Sequence, residues 1–252
     1  MAQIISHRGA NKKAPQNTLS AFRLAREMKC DGLEFDLHLT KDGYVVVCHN
    51  YDIDETSNGS GLIKEMTFET LRSYDFGSYF KESFKGEKIP LLDEVLEISK
   101  GLDILDIEIK PPLDGNLDIV EKTLEGVEKS GLIDKLLISS FSDEVLLESK
   151  RLKSSVPTGL LYDPNSEIID KIFDNPFLFA KSLGCDALHP VYFYIDEDYI
   201  QEAHQNGFAV NAWTCNSENV INTLIELDCD GIITDVPDLA FRLNNEKLSE
   251  KK

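Results

Sequence analysis

A four-residue motif recurs three times in the chain, and this repetition constrains the fold more than any other feature. Each copy follows a helix-like segment and opens a short apolar strand; the copies are Cys30-Asp31-Gly32-Leu33, Cys185-Asp186-Ala187-Leu188 and Cys229-Asp230-Gly231-Ile232. Self-similarity of this kind indicates that one strand-and-helix unit is reused along the chain. We therefore expect an α/β architecture.

Apolar segments between these copies extend the pattern to eight strands, which we predict at Ile4–Ser6, Leu33–Asp36, Ile104–Ile109, Leu136–Ser140, Thr158–Leu161, Ala187–His189, Ala209–Trp213 and Ile232–Thr234. Helical patterns separate them at Thr18–Met28, Leu117–Lys129, Ser142–Leu152, Asp196–Asn206 and Ser217–Leu227. Eight strands that alternate with helices in 252 residues are typical of a (β/α)8 TIM barrel. An open doubly wound sheet is the alternative, but the chain has no Gly-x-Gly-x-x-Gly motif to support it.

The segment from residue 50 to residue 90 interrupts this alternation. It contains the turn-forming run Asn58-Gly59-Ser60-Gly61 and several aromatic residues. Irregular stretches of about forty residues in compact domains are usually lids or substrate walls. We therefore expect a hairpin and an insertion after the second barrel strand, within a single domain of residues 1–245. Residues 246–252 are expected to form a charged, frayed tail.

Composition disfavours several classes of protein. The chain has 45 acidic residues against 26 Lys and Arg, a formal net charge of −19, which disfavours binding to nucleic acid or to an anionic membrane. Its five cysteines lack Cys-x-x-Cys spacing, so they are expected to be reduced. The sequence has no signal-peptide pattern and no apolar run that approaches a membrane span. We expect a cytoplasmic protein.

Residues 33–49 place chemically reactive side chains on one surface. Asp42-Gly43 is the strongest short-range signal for a β-hairpin with a two-residue type I′ turn. Such a turn pairs Lys41 with Tyr44 and places Asp36 directly opposite His49. Polar and apolar residues alternate along the first strand of this hairpin. A half-buried strand with a solvated polar face would show the same alternation. The apolar face of the first strand is formed by Leu33, Phe35, Leu37 and Leu39.

Three acidic residues are predicted to meet at one end of the barrel. TIM-barrel active sites lie at the C-terminal ends of the strands. The acids found there, Glu34, Asp36 and Glu108, repel one another unless a cation lies between them. Oxygen ligands suit Mg²⁺ or Ca²⁺ better than zinc. We expect one divalent cation; the alternative is that the acids are dispersed and pair with Lys or Arg.

Other strand ends supply candidates for acid–base chemistry and substrate binding. His7 and His49 would flank the cation, where two imidazoles could serve as general base and general acid. Arg8 and Lys110 could anchor a phosphate oxygen, although salt bridges to the acids would also explain them. Trp213 could form a flat wall against a small polyol or an alkyl cation, with core packing as the alternative. The remaining strand-end candidates are Ser140, Phe141, His189 and Asp235.

These residues belong to an ordered set of motifs that resembles the glycerophosphodiester phosphodiesterase family. In chain order the motifs are His7-Arg8-Gly9, Pro15-Gln16-Asn17-Thr18, Asp31-Gly32-Leu33-Glu34-Phe35-Asp36, Thr40-Lys41-Asp42-Gly43, Val46-Val47-Cys48-His49, Asn58-Gly59-Ser60-Gly61, Ile89-Pro90-Leu91-Leu92, Ile107-Glu108-Ile109-Lys110, Ala212-Trp213-Thr214 and Gly231-Ile232-Ile233-Thr234-Asp235. The resemblance implies a barrel enzyme that hydrolyses glycerophosphodiesters to sn-glycerol 3-phosphate and an alcohol.

The resemblance also implies roles for individual residues. It assigns the metal to Glu34, Asp36 and Glu108, acid–base catalysis to His7 and His49, and phosphate contacts to Arg8 and Lys110. It further implies attack by the substrate's own 2-hydroxyl to give a cyclic phosphate, and we expect His7 to be the base and His49 the acid.

Two residues depart from the family pattern, since Gln16 stands where Glu is usual and Asn50 where Asp is usual. Each removes a negative charge near the site.

The expected partner is a soluble small-molecule glycerophosphodiester, and the expected assembly is a monomer or a homodimer. One alternative is a lysophospholipase D with an apolar groove formed by Phe76, Tyr79, Phe80 and Phe84. Another is an inactive barrel that acts as a binding module.

Overall fold

The structure of the protein is a computed structural model that describes residues 1–166, 168–172 and 175–250. Its strands are β1 (Gln3–His7), β2 (Gly32–Leu39), β3 (Val45–Val47), β4 (Ile104–Ile109), β5 (Leu136–Ser140), β6 (Thr158–Tyr162), β7 (Ala187–Pro190), β8 (Ala209–Ala212) and β9 (Gly231–Thr234). Apart from β3, all pair in parallel, and β1 pairs with both β2 and β9. The sheet therefore closes into the predicted TIM barrel, and the open-sheet alternative is wrong.

Helices surround this barrel and follow its strands. They are α1 (Leu19–Glu27), α2 (Phe68–Ser73), α3 (Leu92–Ser99), α4 (Asp118–Ser130), α5 (Asp143–Leu152), α6 (Ile169–Ile172), α7 (Pro176–Leu183), α8 (Glu197–Gln205), α9 (Glu218–Glu226) and α10 (Pro237–Glu250). Short polar side chains accept hydrogen bonds from the first turns of α1, α5, α8 and α9, which explains where those helices begin. These capping residues are Thr18, Ser142, Asp196 and Ser217.

The two faces of β2 show why this sequence forms a barrel strand. Leu33 and Phe35 are completely buried in an apolar layer that also contains Phe22 of α1. Glu34 and Asp36 alternate with them, point to the other face and are also buried, at 5% and 0% exposure. A solvated polar face is therefore wrong for this strand. Burial of two acids requires compensation, because an isolated buried carboxylate is costly.

The β2–β3 hairpin forms with a register that differs by one residue from the prediction. Leu37 pairs with Val47, so Cys48 instead of His49 donates its backbone N–H to the carbonyl of Asp36 (3.0 Å). The loop has three residues, because the backbone N–H of Thr40 donates to the carbonyl of Tyr44 (2.9 Å). Gly43 takes a positive φ of 83°, which suits the last residue of a three-residue loop.

The segment between β3 and α3 forms a small apolar core of its own. Val46 of β3 packs there with six other buried residues, Cys48, Ile53, Ile63, Leu71, Phe76 and Ile89. The segment also contributes α2 and two short 3-10 turns, Ile63–Glu65 and Glu82–Phe84. A hydrogen bond from the backbone N–H of Lys41 to the carbonyl of Met66 (2.9 Å) ties it to the hairpin loop.

The end of the chain differs from the frayed tail that was expected. Helix α10 continues through Glu250, because Arg242 and Lys247 form ion pairs with Glu246 and Glu226 and Leu248 is half-buried. Residues 251 and 252 lie outside the described residues. Across the described part of the chain, every helix is too short or too polar to cross a membrane.

Candidate active site

Neighbouring strands bring the three predicted metal ligands together. Glu34 and Asp36 lie two residues apart on β2, and the β2–β4 register places Glu108 beside Asp36. One carboxylate oxygen from each residue lies within 4.8 Å of the others, and all three residues are buried. A compact set of buried carboxylate oxygens fits a hard divalent cation. The three acids are therefore clustered and not dispersed.

Two cationic side chains also contact these acids. Lys110 Nζ lies 2.8 Å from Asp36 Oδ1 and 2.6 Å from Glu108 Oε1. Arg8 Nε lies 3.5 Å from Asp36 Oδ2. The acids therefore form both a cluster and salt bridges, the two arrangements that the sequence offered as alternatives. When all three carboxylates are ionised, the two cationic side chains leave the site net negative, so one further cation can be accommodated.

The surroundings of the three acids shift their pKa values in different directions. Burial, together with the nearby Asp36 and Glu108, raises the pKa of Glu34 well above its usual range. Burial also raises the pKa of Glu108 to about 7, although Lys110 opposes it. Burial acts in the same direction on Asp36, but Lys110 and Arg8 hold its pKa well below the usual range. Opposing shifts in adjacent carboxylates are a feature of functional sites.

His7 is oriented by an acid from the opposite end of the chain. Its Nδ1 lies 2.6 Å from Oδ1 of Asp235, which directly follows β9. Its Nε2 lies 4.0 Å from Glu34 Oε2. Burial lowers the pKa of His7, and the hydrogen bond with Asp235 opposes this shift. Sequence analysis identified Asp235 as a strand-end candidate without a role, and its position after a terminal strand was the only signal.

His49 is oriented by an amide in place of a carboxylate. Its Nδ1 donates to the side-chain oxygen of Asn50 (2.7 Å), and the Asn50 amide donates to Glu55 (3.0 Å). Burial lowers the pKa of His49 to about 4, with Lys110 and Arg8 adding to the effect while Asp36 opposes it. The departure at Asn50 thus gives His49 a neutral partner, whereas His7 has a charged one.

Arg8 is fixed by its backbone as well as by its side chain. It adopts a left-handed φ of 55°, and its N–H donates to the backbone oxygen (2.9 Å) and to Oε2 (3.0 Å) of Glu34. Its guanidinium donates to Oε1 of Gln16 (2.8 Å). Asn17, which sequence reasoning missed as a site residue, donates to Asp36 Oδ2 (2.8 Å). Gln16, although neutral, therefore still accepts a hydrogen bond from the guanidinium, as a Glu at this position would.

One cavity of about 320 Å³, which we call the inner cavity, is lined by His7, Arg8, Glu34, His49, Glu108, Lys110 and Trp213, whereas its lining does not include Asp36, Ser140 or Asp235. Trp213 forms part of its wall, half-buried, with its Nε1 donating to the carbonyl of His189 (2.7 Å). The Trp213 ring packs edge-on against Phe141 at 5.6 Å between centroids. His189 itself is completely buried, with its Nδ1 3.4 Å from Asp106 Oδ2. Acids, imidazoles and an apolar wall thus converge on one space.

Comparison with known proteins identifies the group to which this fold and site belong. The sequence pattern that defines the glycerophosphoryl diester phosphodiesterase family matches residues 7–239. A glycerophosphodiester phosphodiesterase of Caldanaerobacter subterraneus is 35% identical over 241 residues, which cover 95% of this chain and 96% of the relative. A second enzyme of that name, from Bacillus altitudinis, is 31% identical over 98% of this chain and 99% of its own length.

Solved structures agree with these sequence matches. A phosphodiesterase of Oleispira antarctica, solved in complex with the product sn-glycerol-3-phosphate, is similar with a TM-score of 0.86 and 27% identity, over 97% of each chain. The chain belongs to the glycerophosphoryl diester phosphodiesterase family. The predicted family and the predicted class of enzyme are confirmed.

Proposed function

We propose that the protein hydrolyses soluble glycerophosphodiesters to sn-glycerol 3-phosphate and an alcohol, with a divalent cation and two histidines. The observation that carries this proposal is the convergence of three buried carboxylates, within 4.8 Å of one another, on the cavity lined by His7 and His49. The named activities of the similar enzymes support it, as does the sn-glycerol-3-phosphate bound to the Oleispira antarctica phosphodiesterase.

The residues present fit one divalent cation. Glu34, Asp36 and Glu108 would supply its ligands, and their oxygen-only chemistry suits Mg²⁺ or Ca²⁺. When bound, such a cation neutralises charge on the phosphoryl oxygens and thereby favours the transition state. Arg8 would hold another phosphoryl oxygen, and its backbone bonds to Glu34 keep it next to the ligands.

The two histidines are suited to transfer protons on either side of the phosphorus. The Nδ1 of His7 is occupied by Asp235, so its Nε2 is available to remove the proton from the 2-hydroxyl of the glycerol arm. The Asp235 carboxylate stabilises the imidazolium that results. His49 in its imidazolium form, with Nδ1 donating to Asn50, would protonate the leaving alcohol from Nε2. Water then opens the cyclic phosphate, with the two histidines in reversed roles.

The choice of substrate tests this proposal. Glycerophosphocholine should release sn-glycerol 3-phosphate, and a substrate that lacks the 2-hydroxyl should react far more slowly, because an intramolecular nucleophile is lost. Equal rates would indicate attack by water and contradict the cyclic route. Faster turnover of the acylated diester would favour the lysophospholipase D alternative. Absence of turnover with every diester would favour the inactive binding module.

A further inference from the structure

A second space adjoins the inner cavity and shares two of its residues. This outer groove, of about 290 Å³, is lined by His7 and Arg8 together with Asn11, Lys12, Gln16, Tyr79, Phe80 and Asp235. Tyr79 and Phe80 come from the segment inserted after β3 and are 40% and 37% exposed. The groove therefore joins the catalytic residues to the surface of the insertion.

A phosphodiester has two arms, and the two spaces can separate them. The phosphoryl group must lie beside Arg8 and the carboxylates, within reach of both histidines, and so in the inner cavity. The glycerol arm is the same in every substrate of the proposed reaction, whereas the leaving alcohol varies. A space bounded by flexible, exposed side chains suits the variable arm. The leaving oxygen would stay beside His49 in the inner cavity, and the rest of the leaving alcohol would pass Arg8, which lines both spaces, and extend into the outer groove.

We infer that the outer groove binds the leaving alcohol and selects polyhydroxyl head groups over quaternary ammonium head groups. This inference rests on the proposed function and adds a specificity site to it. Tyr79, Phe80 and Lys12 are the residues that determine the selection, and Lys12 is the one that opposes a cationic head group.

The charges in the groove support this choice. Asp235 is the acid among its lining residues, and both of its oxygens are occupied, Oδ1 by His7 and Asn11 and Oδ2 by Asn216 and Lys12. No carboxylate of the described lining is therefore free to pair with a quaternary ammonium. Lys12, 59% exposed and 3.2 Å from Asp235, keeps donors for a hydroxyl oxygen. A cationic head group would instead meet the charges of Lys12 and Arg8.

The aromatic side chains support the same choice. Tyr79 lines the groove together with Gln16, whose Oε1 accepts a hydrogen bond from Arg8 (2.8 Å). Phe80 is held edge-on by Phe84 at 5.7 Å between ring centroids. An aromatic surface alone would accept a quaternary ammonium as well as a polyol ring. With the Lys12 ammonium beside it, the surface matches a polyol ring, which offers one apolar C–H face and a polar edge.

Head-group selectivity tests the inference directly. The ratio of kcat/KM for sn-glycero-3-phosphoinositol to that for sn-glycero-3-phosphocholine should favour inositol about tenfold, the effect of one charge-assisted hydrogen bond. Lys12→Met should bring this ratio close to one, and Lys12→Arg should preserve it. Tyr79→Phe should lower it by a smaller factor. Because both substrates are compared on the same variant, any common effect on His7 through Asp235 cancels.

Lys13→Met is the matched control. Lys13 is the neighbouring exposed lysine, pairs with Asp238 and does not line the groove, so the ratio should stay at the wild-type value. A second measurement is inhibition by sn-glycerol 3-phosphate, which should be equal in the wild type and in Tyr79→Phe because the glycerol arm binds elsewhere.

The outcomes separate the inference from the proposed function. Preference for choline in the wild type, or a ratio that Lys12→Met leaves unchanged, would overturn the inference and leave the hydrolase intact. Loss of sn-glycerol 3-phosphate inhibition in Tyr79→Phe with an unchanged ratio would place glycerol in the groove and also overturn it. A wild type that hydrolyses no diester would contradict the proposed function itself, and the inference with it.

Discussion

The imidazole of His7 and the carboxylate of Asp235 lie 2.6 Å apart although 228 residues separate them in the chain. The contact exists because barrel closure pairs β1 with β9, so that the first and last strands end side by side. Asn11 and Asn216 donate further hydrogen bonds to the same carboxylate, at 2.7 Å each. These hydrogen bonds hold the Asp235 carboxylate in place, and the carboxylate in turn orients the His7 ring.

Replacement of Asp235 by Asn should keep the shape and remove the charge that supports His7. We expect kcat to fall by about 10²–10⁴-fold, the range for impaired acid–base catalysis. Asp235 opposes the lowering of the His7 pKa by burial, so in Asp235→Asn this pKa should fall further. A base with a lower pKa stays unprotonated to lower pH, so the acidic limb of the kcat/KM profile should move to lower pH. Asp238→Asn, at an exposed acid on α10, is the control.

Asn50→Asp should restore a carboxylate partner to His49. Burial lowers the pKa of His49 to about 4, and a carboxylate on Nδ1 should raise it. A general acid must carry its proton, so the alkaline limb of kcat/KM should move to higher pH. Activity at pH 7 should then rise, by about tenfold for every pH unit that the limb moves. Glu55→Gln should accompany the change, since Glu55 accepts from Asn50, and Glu55→Gln alone is the control. An unchanged alkaline limb would mean that His49 is not the acid.

Lys110→Met should lower the free energy of unfolding, because the acidic cluster loses a positive charge. Asp36 and Glu108 raise the pKa of Lys110 despite its burial. Removal of the ammonium takes this ion pair from both buried carboxylates and leaves Asp36 with the ion pair to Arg8 alone. We expect the chelator-treated variant to lose about 3–5 kcal/mol in the free energy of unfolding. Added Mg²⁺ or Ca²⁺ should stabilise the variant more than the wild type, because the cation replaces the lost positive charge.

Chemical denaturation with and without the ion measures this difference. Lys129→Met, which removes an exposed lysine paired with Glu125, should change neither the stability nor the response to the ion. An equal response of Lys110→Met and the wild type to added cation would argue against a metal site at these acids.

Much of the barrel could be predicted from the sequence, because the repeated units bury apolar side chains in a strict pattern. The hairpin register could not, since Asp42-Gly43 is compatible with either a two-residue or a three-residue loop. In the folded protein Oδ1 of Asp42 accepts from the hydroxyl of Thr40 (2.7 Å) and from the backbone N–H of Phe68 (2.9 Å). The second contact comes from the inserted segment, and it favours the longer loop.

The candidate site was likewise predictable only in part. Glu34, Asp36 and Glu108 were predictable because strand periodicity and parallel pairing alone bring them together. The partners of the catalytic candidates were not, because Asn17 reaches Asp36 from the loop before α1 and Asp235 reaches His7 only after the barrel closes. Local patterns carry no information about such long-range contacts.

Release of sn-glycerol 3-phosphate from glycerophosphocholine by chelator-treated protein, with Mg²⁺ or Ca²⁺ restored in turn, tests the proposed function most directly. We expect negligible release without an ion and recovery with at least one of the two. Glu34→Gln and Asp36→Asn, which keep the side-chain shape but remove a ligand charge, should bind the ion more weakly and recover little activity. Full activity in the chelator, or full recovery in both variants, would contradict a metal-dependent diesterase centred on these acids.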